Sequence, residues 1–212
     1  MAENELVEVE FLRKSLEDSL TKLIKKVGKV NIGSPAQFPY GWRKSAKGRT
    51  VWRIIEELIT QNLELHHNDF GIDNVQPSDS EVSVYDMKCE YNGHRPLFIN
   101  IKSAVVGGKR TKDDISKAEG LSNFYSEDPT HVFMVATFLI RFNADMSVEL
   151  TKAVVMPVAW IPDIYVNPSN NGNLQSSYAK DLDMAVKRTN AEFIEELKKE
   201  IEVAKAKKKK KN

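Results

Sequence analysis

"PLFINIKSAVVGG" (residues 96–108) decides the fold. An apolar run carries Asn100 and Lys102 two residues apart and then breaks at a glycine pair. Read as a half-buried strand, it sends Leu97, Ile99 and Ile101 to one face and offers Asn100 and Lys102 on the other. The preceding stretch, "EVSVYDMKCEY" (81–91), alternates with the same period. Between the two lies "NGHRP", where Asn-Gly is a strong hairpin signal. An antiparallel hairpin brings Asp86 within reach of the face that holds Asn100 and Lys102. A carboxylate, an amide oxygen and an ammonium then converge. Glu90 shares the parity of Asp86 but sits nearer the turn, and Glu81 is the other acid of this strand. Carboxylate and amide oxygens are hard ligands suited to Mg²⁺. A lysine beside such an ion can orient or help deprotonate a water and stabilise charge on a phosphate. The chemistry indicated is phosphodiester hydrolysis.

Outward from the hairpin, helical spacing predicts a helix over 51–67, with Val51, Ile54, Ile55, Leu58, Ile59 and Leu63 as its apolar face and Thr50 as its cap. A second amphipathic helix is expected over 4–28, built on Leu12, Leu16, Leu20 and Leu23. After the glycine pair, a loop and a helix from about Asp113 are expected. Apolar strands follow at 131–143 and 147–161, then an amide-rich loop at 166–177, then a closing helix from Tyr178. The order describes an α/β protein with a central mixed β-sheet flanked by helices, including one parallel crossover. A single domain over 1–204 is expected, with a disordered lysine-rich tail at 205–212.

"YDMKCEYNGHRPLFINIKS" resembles the active-site hairpin of the PD-(D/E)xK nuclease superfamily, and of type II restriction endonucleases in particular. That pattern places an Asp on one strand and an acid-x-Lys on the next. Asp86 matches the first Asp and Lys102 the lysine, whereas Tyr85 replaces the usual Pro and Asn100 replaces the second acid. The resemblance implies Mg²⁺ held by Asp86, Asn100 and the main-chain carbonyl of Ile101, with Lys102 activating water. It also implies a glutamate from the helix before the hairpin. Glu56 and Glu57 are the candidates; Glu56 falls beside Trp52, Ile59 and Leu63 at the edge of the apolar face. The implied activity is site-specific cleavage of double-stranded DNA by a homodimer, with a cognate DNA methyltransferase as functional partner. Two alternatives stay open: a repair or junction-resolving nuclease of the same fold, and a DNA-binding protein inactivated by Asn100. A third is an α/β protein unrelated to nucleic acid.

Three segments are candidate DNA contacts. "FPYGWRKSAKGR" carries Tyr40 and Trp42 among Arg43, Lys44, Lys47 and Arg49, a mixture suited to phosphates and stacking. "VVGGKRTK" leaves the catalytic strand with Lys109, Arg110 and Lys112. The amides Asn167, Asn170, Asn171, Asn173 and Gln175 can read adenine edges. These clusters matter more than net charge: Lys and Arg number 31 against 30 Asp and Glu, but six of the lysines lie in the tail, so the body is mildly acidic. His66, His67, His94 and His131 lack ligand spacing. The lone Cys89 excludes an intramolecular disulfide and argues against a thiolate zinc site. The N-terminus is acidic and unlike a signal peptide, and no apolar run spans a bilayer, so a cytoplasmic location is expected.

Overall fold

The computed structural model describes residues 2–43, 47–80, 83–109, 111–170 and 172–210; for 47–50 it describes the backbone alone. The chain runs α1 (Ala2–Val27), β1 (Lys29–Asn31), α2 (Lys47–Phe70), β2 (Asn74–Pro77), β3 (Met87–Glu90), β4 (Leu97–Val105), β5 (Asp113–Lys117), α3 (Ala118–Glu127), β6 (Val132–Phe142), β7 (Ser147–Pro157), β8 (Tyr165–Asn167), β9 (Asn173–Ser176) and α4 (Asn190–Lys209). A six-stranded mixed sheet has the order β1-β7-β6-β4-β3-β2, and a small sheet has the order β5-β9-β8. The expected α/β layout with a central mixed sheet is therefore present. So is the parallel crossover, β4 to β6, in register from Leu97–Val132 to Val105–Ile140.

β4 occupies the middle of the large sheet between β3 and β6. From Leu97 to Ile101 every residue is buried, on both faces, and the strand opens only at Lys102. The half-buried strand expected from alternation is instead a central strand of the kind that a parallel neighbour requires. Phe98 meets α3 through Phe124, edge-on at 4.9 Å. α1 and α2 pack against each other and onto β7 and β4, burying Leu12, Leu16, Leu20 and Leu23 from α1 and Ile55, Ile59 and Leu63 from α2.

Several boundaries differ from those expected. α2 begins at Lys47, so Thr50 lies inside the helix and not at its cap. Residues 74–77 form the edge strand β2, which the sequence pattern does not signal; its single apolar residue, Val75, gives no alternation to detect. β3 is shorter than expected, starting at Met87 just after Asp86, and Glu81 lies outside the described residues. Residues 113–117 form β5 instead of opening a helix, and the amide-rich loop contains the hairpin β8–β9. The final helix starts at Asn190, not near Tyr178, because Thr189 and Glu192 form a reciprocal capping box there. It continues to Lys209, so the lysines from Lys205 to Lys209 belong to helix where a disordered tail was expected. Among the described residues no helix is long and apolar enough to cross a membrane.

Candidate active site

Asp86 is fixed by the sheet although it precedes β3. Its N–H donates to the Ile99 carbonyl at 2.8 Å, and its own carbonyl accepts from Ser78 N–H at 2.9 Å. This places it just before the Met87–Ile99 pair, bonded to the same Ile99. Its carboxylate Oδ2 accepts the Ile101 N–H at 2.5 Å. The expected convergence of Asp86 with the Asn100–Lys102 segment is thus made through the backbone of the residue between them.

Glu56, on α2, faces the same cleft as Asp86 and Ile101, together with Arg53, Tyr85 and Ser78. The cleft encloses about 520 Å³, room for a phosphate group and a hydrated ion. Glu56 has neither a hydrogen bond nor an ion pair among the described residues, while Glu57 is exposed and accepts from Gln61 Nε2 at 2.7 Å. Burial raises the Glu56 carboxyl to about 7; the Asp86 charge pushes it the same way, and Lys102 and Arg53 oppose. Burial raises Asp86 as well, against the Ile101 hydrogen bond and the charges of Lys102 and Arg53. The Ile101 N–H bond favours the ionised form of Asp86, and Glu56 has no such bond among the described residues. Two desolvated carboxyls without a bonded cation create a demand for positive charge.

Asn100 is 7% exposed. Its Nδ2 donates to the Val84 carbonyl at 3.0 Å, which aims Oδ1 elsewhere, and Oδ1 is buried with no hydrogen-bond partner. A buried amide oxygen left open is an acceptor available to a ligand. Neither Asn100 nor Lys102 lines the cleft of Glu56 and Asp86; Asn100 is buried behind it in β4, and Lys102 opens elsewhere. It lines an adjoining cleft with Thr137, Asp113, Asp114, Gln175 and Lys180, though its charge is felt by both carboxyls. Among the described residues, no group of three or more His, Cys, Asp or Glu could hold a metal ion; the oxygen set here is two carboxylates, an amide and main chain.

Arg53 was not singled out by the sequence reading. It lies one turn before Glu56 on α2, and that i, i+3 spacing was the available signal. Its guanidinium stacks over the Trp52 ring at 4.0 Å and makes no ion pair among the described residues. Glu90 is tied at the turn end to Lys88 (2.8 Å) and Asn74 (3.3 Å), away from the cleft. His94 stacks on Phe11 of α1 at 4.3 Å, and His131 on Phe124 at 4.4 Å.

The candidate DNA contacts divide. Tyr40 is 81% exposed with the Arg43 guanidinium 5.6 Å from its ring, and Lys109 is exposed. Trp42 is half-buried: its Nε1–H donates to the Asn143 carbonyl at 2.9 Å and its ring meets Phe142 at 4.8 Å, so it anchors the loop and does not present a stacking face. Lys112 Nζ sits 3.6 Å above the Tyr165 ring. Asn170 and Gln175 do not project as readers; both donate to the Asp114 carboxylate, and Gln175 is buried. Asn173 is half-buried in β9, and Asn167 donates to Gln175 Oε1 at 3.2 Å. Lys44, Arg110, Asn171 and the side chains of Lys47 and Arg49 lie outside the described residues.

No protein-family model matches the chain, and no curated protein matches its sequence. Among the solved structures that it matches is the NlaIV restriction endonuclease, with a TM-score of 0.48 and 13% identity, covering 75% of this chain and 74% of that chain. A likeness of that size assigns neither residues nor activity.

Proposed function

We propose that this chain is a Mg²⁺-dependent type II restriction endonuclease that hydrolyses phosphodiester bonds of double-stranded DNA at a short specific sequence. The observation that carries the reading is the pair of carboxyls at one cleft, Glu56 and Asp86, both raised and, among the described residues, neither ion-paired, with the charge of Lys102 felt by both and the unpartnered Oδ1 of Asn100 on the strand that Asp86 bonds. The donor set fits a hard divalent cation: oxygens only, few in number, with space left for water and phosphate. Asp86, Glu56, Asn100 Oδ1 and the Ile101 carbonyl would hold it. When bound, the ion supplies positive charge against the phosphate and lowers the pKa of a water.

The chain's own groups do the rest. Asp86 is held rigid by Ile101 N–H, so its second oxygen keeps a fixed direction. Asn100 is fixed by Val84 and contributes its dipole without a further negative charge beside the phosphate. Lys102, at the point where β4 opens, orients the attacking water and offsets charge developing on the phosphate. Arg53 brings a guanidinium stacked on Trp52 to the cleft, suited to a phosphate oxygen. A homodimer matches the symmetry of a palindromic site.

Incubation with plasmid DNA and Mg²⁺ tests the reading. Discrete fragments are expected. A smear or cuts confined to branched DNA would favour the repair or junction-resolving alternative, and retarded but uncut DNA the inactive binder. Absence of any shift at low salt would end every DNA reading.

A further inference from the structure

Asp114 occupies an unusual electrostatic position. It is exposed, it lies in the cleft that holds Lys102, and it makes no ion pair among the described residues. Its neighbour Asp113 is neutralised by Lys180. Asp114 is instead held by amides: Asn170 Nδ2 donates to both carboxylate oxygens (3.1 and 2.9 Å) and Gln175 Nε2 to Oδ1 (2.5 Å). Gln175 is 8% exposed and is itself oriented by Asn167. Neutral donors fix the direction of a carboxylate and leave its charge in place.

A carboxylate offers about four lone-pair directions. Three are occupied, two on Oδ1 and one on Oδ2, so one direction on Oδ2 stays open on a residue that is exposed and lines the cleft. A bare negative charge next to the cleavage lysine would repel phosphates, so in a DNA site it must face something else. The groups on DNA that donate to a carboxylate are base amino groups, and the major-groove amino group of cytosine is the usual partner of Asp. We infer that Asp114 is the base-reading group of this chain, its Oδ2 accepting a hydrogen bond from a base amino group, cytosine by preference, with Asn170 and Gln175 as its positioning residues. The inference rests on the DNA reading above. It also reverses the roles expected from sequence, since the amides hold the reader and do not themselves read.

The test is selection of bound DNA from a random-sequence duplex pool, with Ca²⁺ in place of Mg²⁺, for the intact protein and for Asp114→Asn. The intact protein is expected to select a motif containing cytosine. In Asp114→Asn the preference at that base pair falls about tenfold, the other positions persist, and affinity for unrelated DNA rises because a repelling charge is gone. Asn170→Ala loosens the same position to a smaller degree, and it carries the test if Asp114→Asn does not fold. Identical motifs from the intact protein and the variants overturn the inference. So does equal loss of specific and nonspecific binding in the variants, which a merely structural Asp114 would give, or selection of no motif by the intact protein. Plasmid cleavage is scored separately. Selective binding without cutting in Mg²⁺ would end the nuclease reading and uphold Asp114; cutting without selectivity would do the reverse.

Discussion

Consecutive residues of β4 line two clefts that handle acidic groups in opposite ways. At the cleft reached by Ile101, Glu56 and Asp86 are desolvated and have no bonded cation among the described residues, and both carboxyls are raised. At the cleft reached by Lys102, Asp113 is paired with Lys180 and Asp114 is held by two amides. In the second cleft each carboxylate has side-chain partners within the protein; in the first, among the described residues, no side chain bonds either carboxyl. A fold tolerates uncompensated buried carboxyls when something outside the chain compensates them. On the proposed function, the cation belongs to the first cleft and the second is left for orientation and recognition.

The largest effect that would break this division is on Lys102. Lys102→Ala should lower plasmid cutting by about 10³-fold or more while DNA binding persists, read by cleavage rate and gel retardation. Equal cutting by that variant would refute the assigned site. Next comes Glu56→Gln, expected to weaken Mg²⁺ binding by calorimetry and to slow cutting about 10²-fold.

The same residue sets a pH dependence. Its folded pKa of about 7 stands above the ordinary 4.5. Between those values the folded protein keeps a proton that the unfolded chain has released, so metal-free stability falls as pH rises through this window. Thermal melts of the metal-free protein should show that fall, and Glu56→Gln should flatten it and raise the melting temperature at pH 8. Mg²⁺ affinity should run the other way, rising with pH as Glu56 gives up its proton. A melt independent of pH from 4.5 to 7 would remove the electrostatic basis of the comparison.

Smaller effects sharpen it. Asn100→Asp places a carboxylate where Nδ2 now donates to Val84, a loss of about 1–3 kcal/mol in the metal-free protein, measured by denaturant unfolding; Mg²⁺ should recover part of it. Smallest is Lys180→Met. It removes a partly exposed pair with Asp113, should cost no more than about 1 kcal/mol, and should leave Mg²⁺ affinity unchanged.

Sequence alone carried the hairpin, the parallel crossover and the segment that joins Asp86 to Asn100 and Lys102, because period-2 alternation and an Asn-Gly turn are local signals. The helical wheel likewise set Glu56 nearer the core than Glu57, the orientation that their burial shows. The second hairpin escaped, although 171–172 is also Asn-Gly, because its flanks are amides without alternating apolar residues. β5 escaped because its strand character comes from pairing with β9, not from its own side chains.

Tertiary structure alone decided what each polar group is committed to. Burial on both faces of β4 turned an exposed Asn100 into one with a single open oxygen. The Asn143 carbonyl claimed Trp42, and Asp114 claimed the amides that composition had offered as readers. The physical reason is that patterning is local in the chain. Desolvation and hydrogen-bond partnership are set by groups 56, 61 or 101 residues away, which only the closed fold brings together.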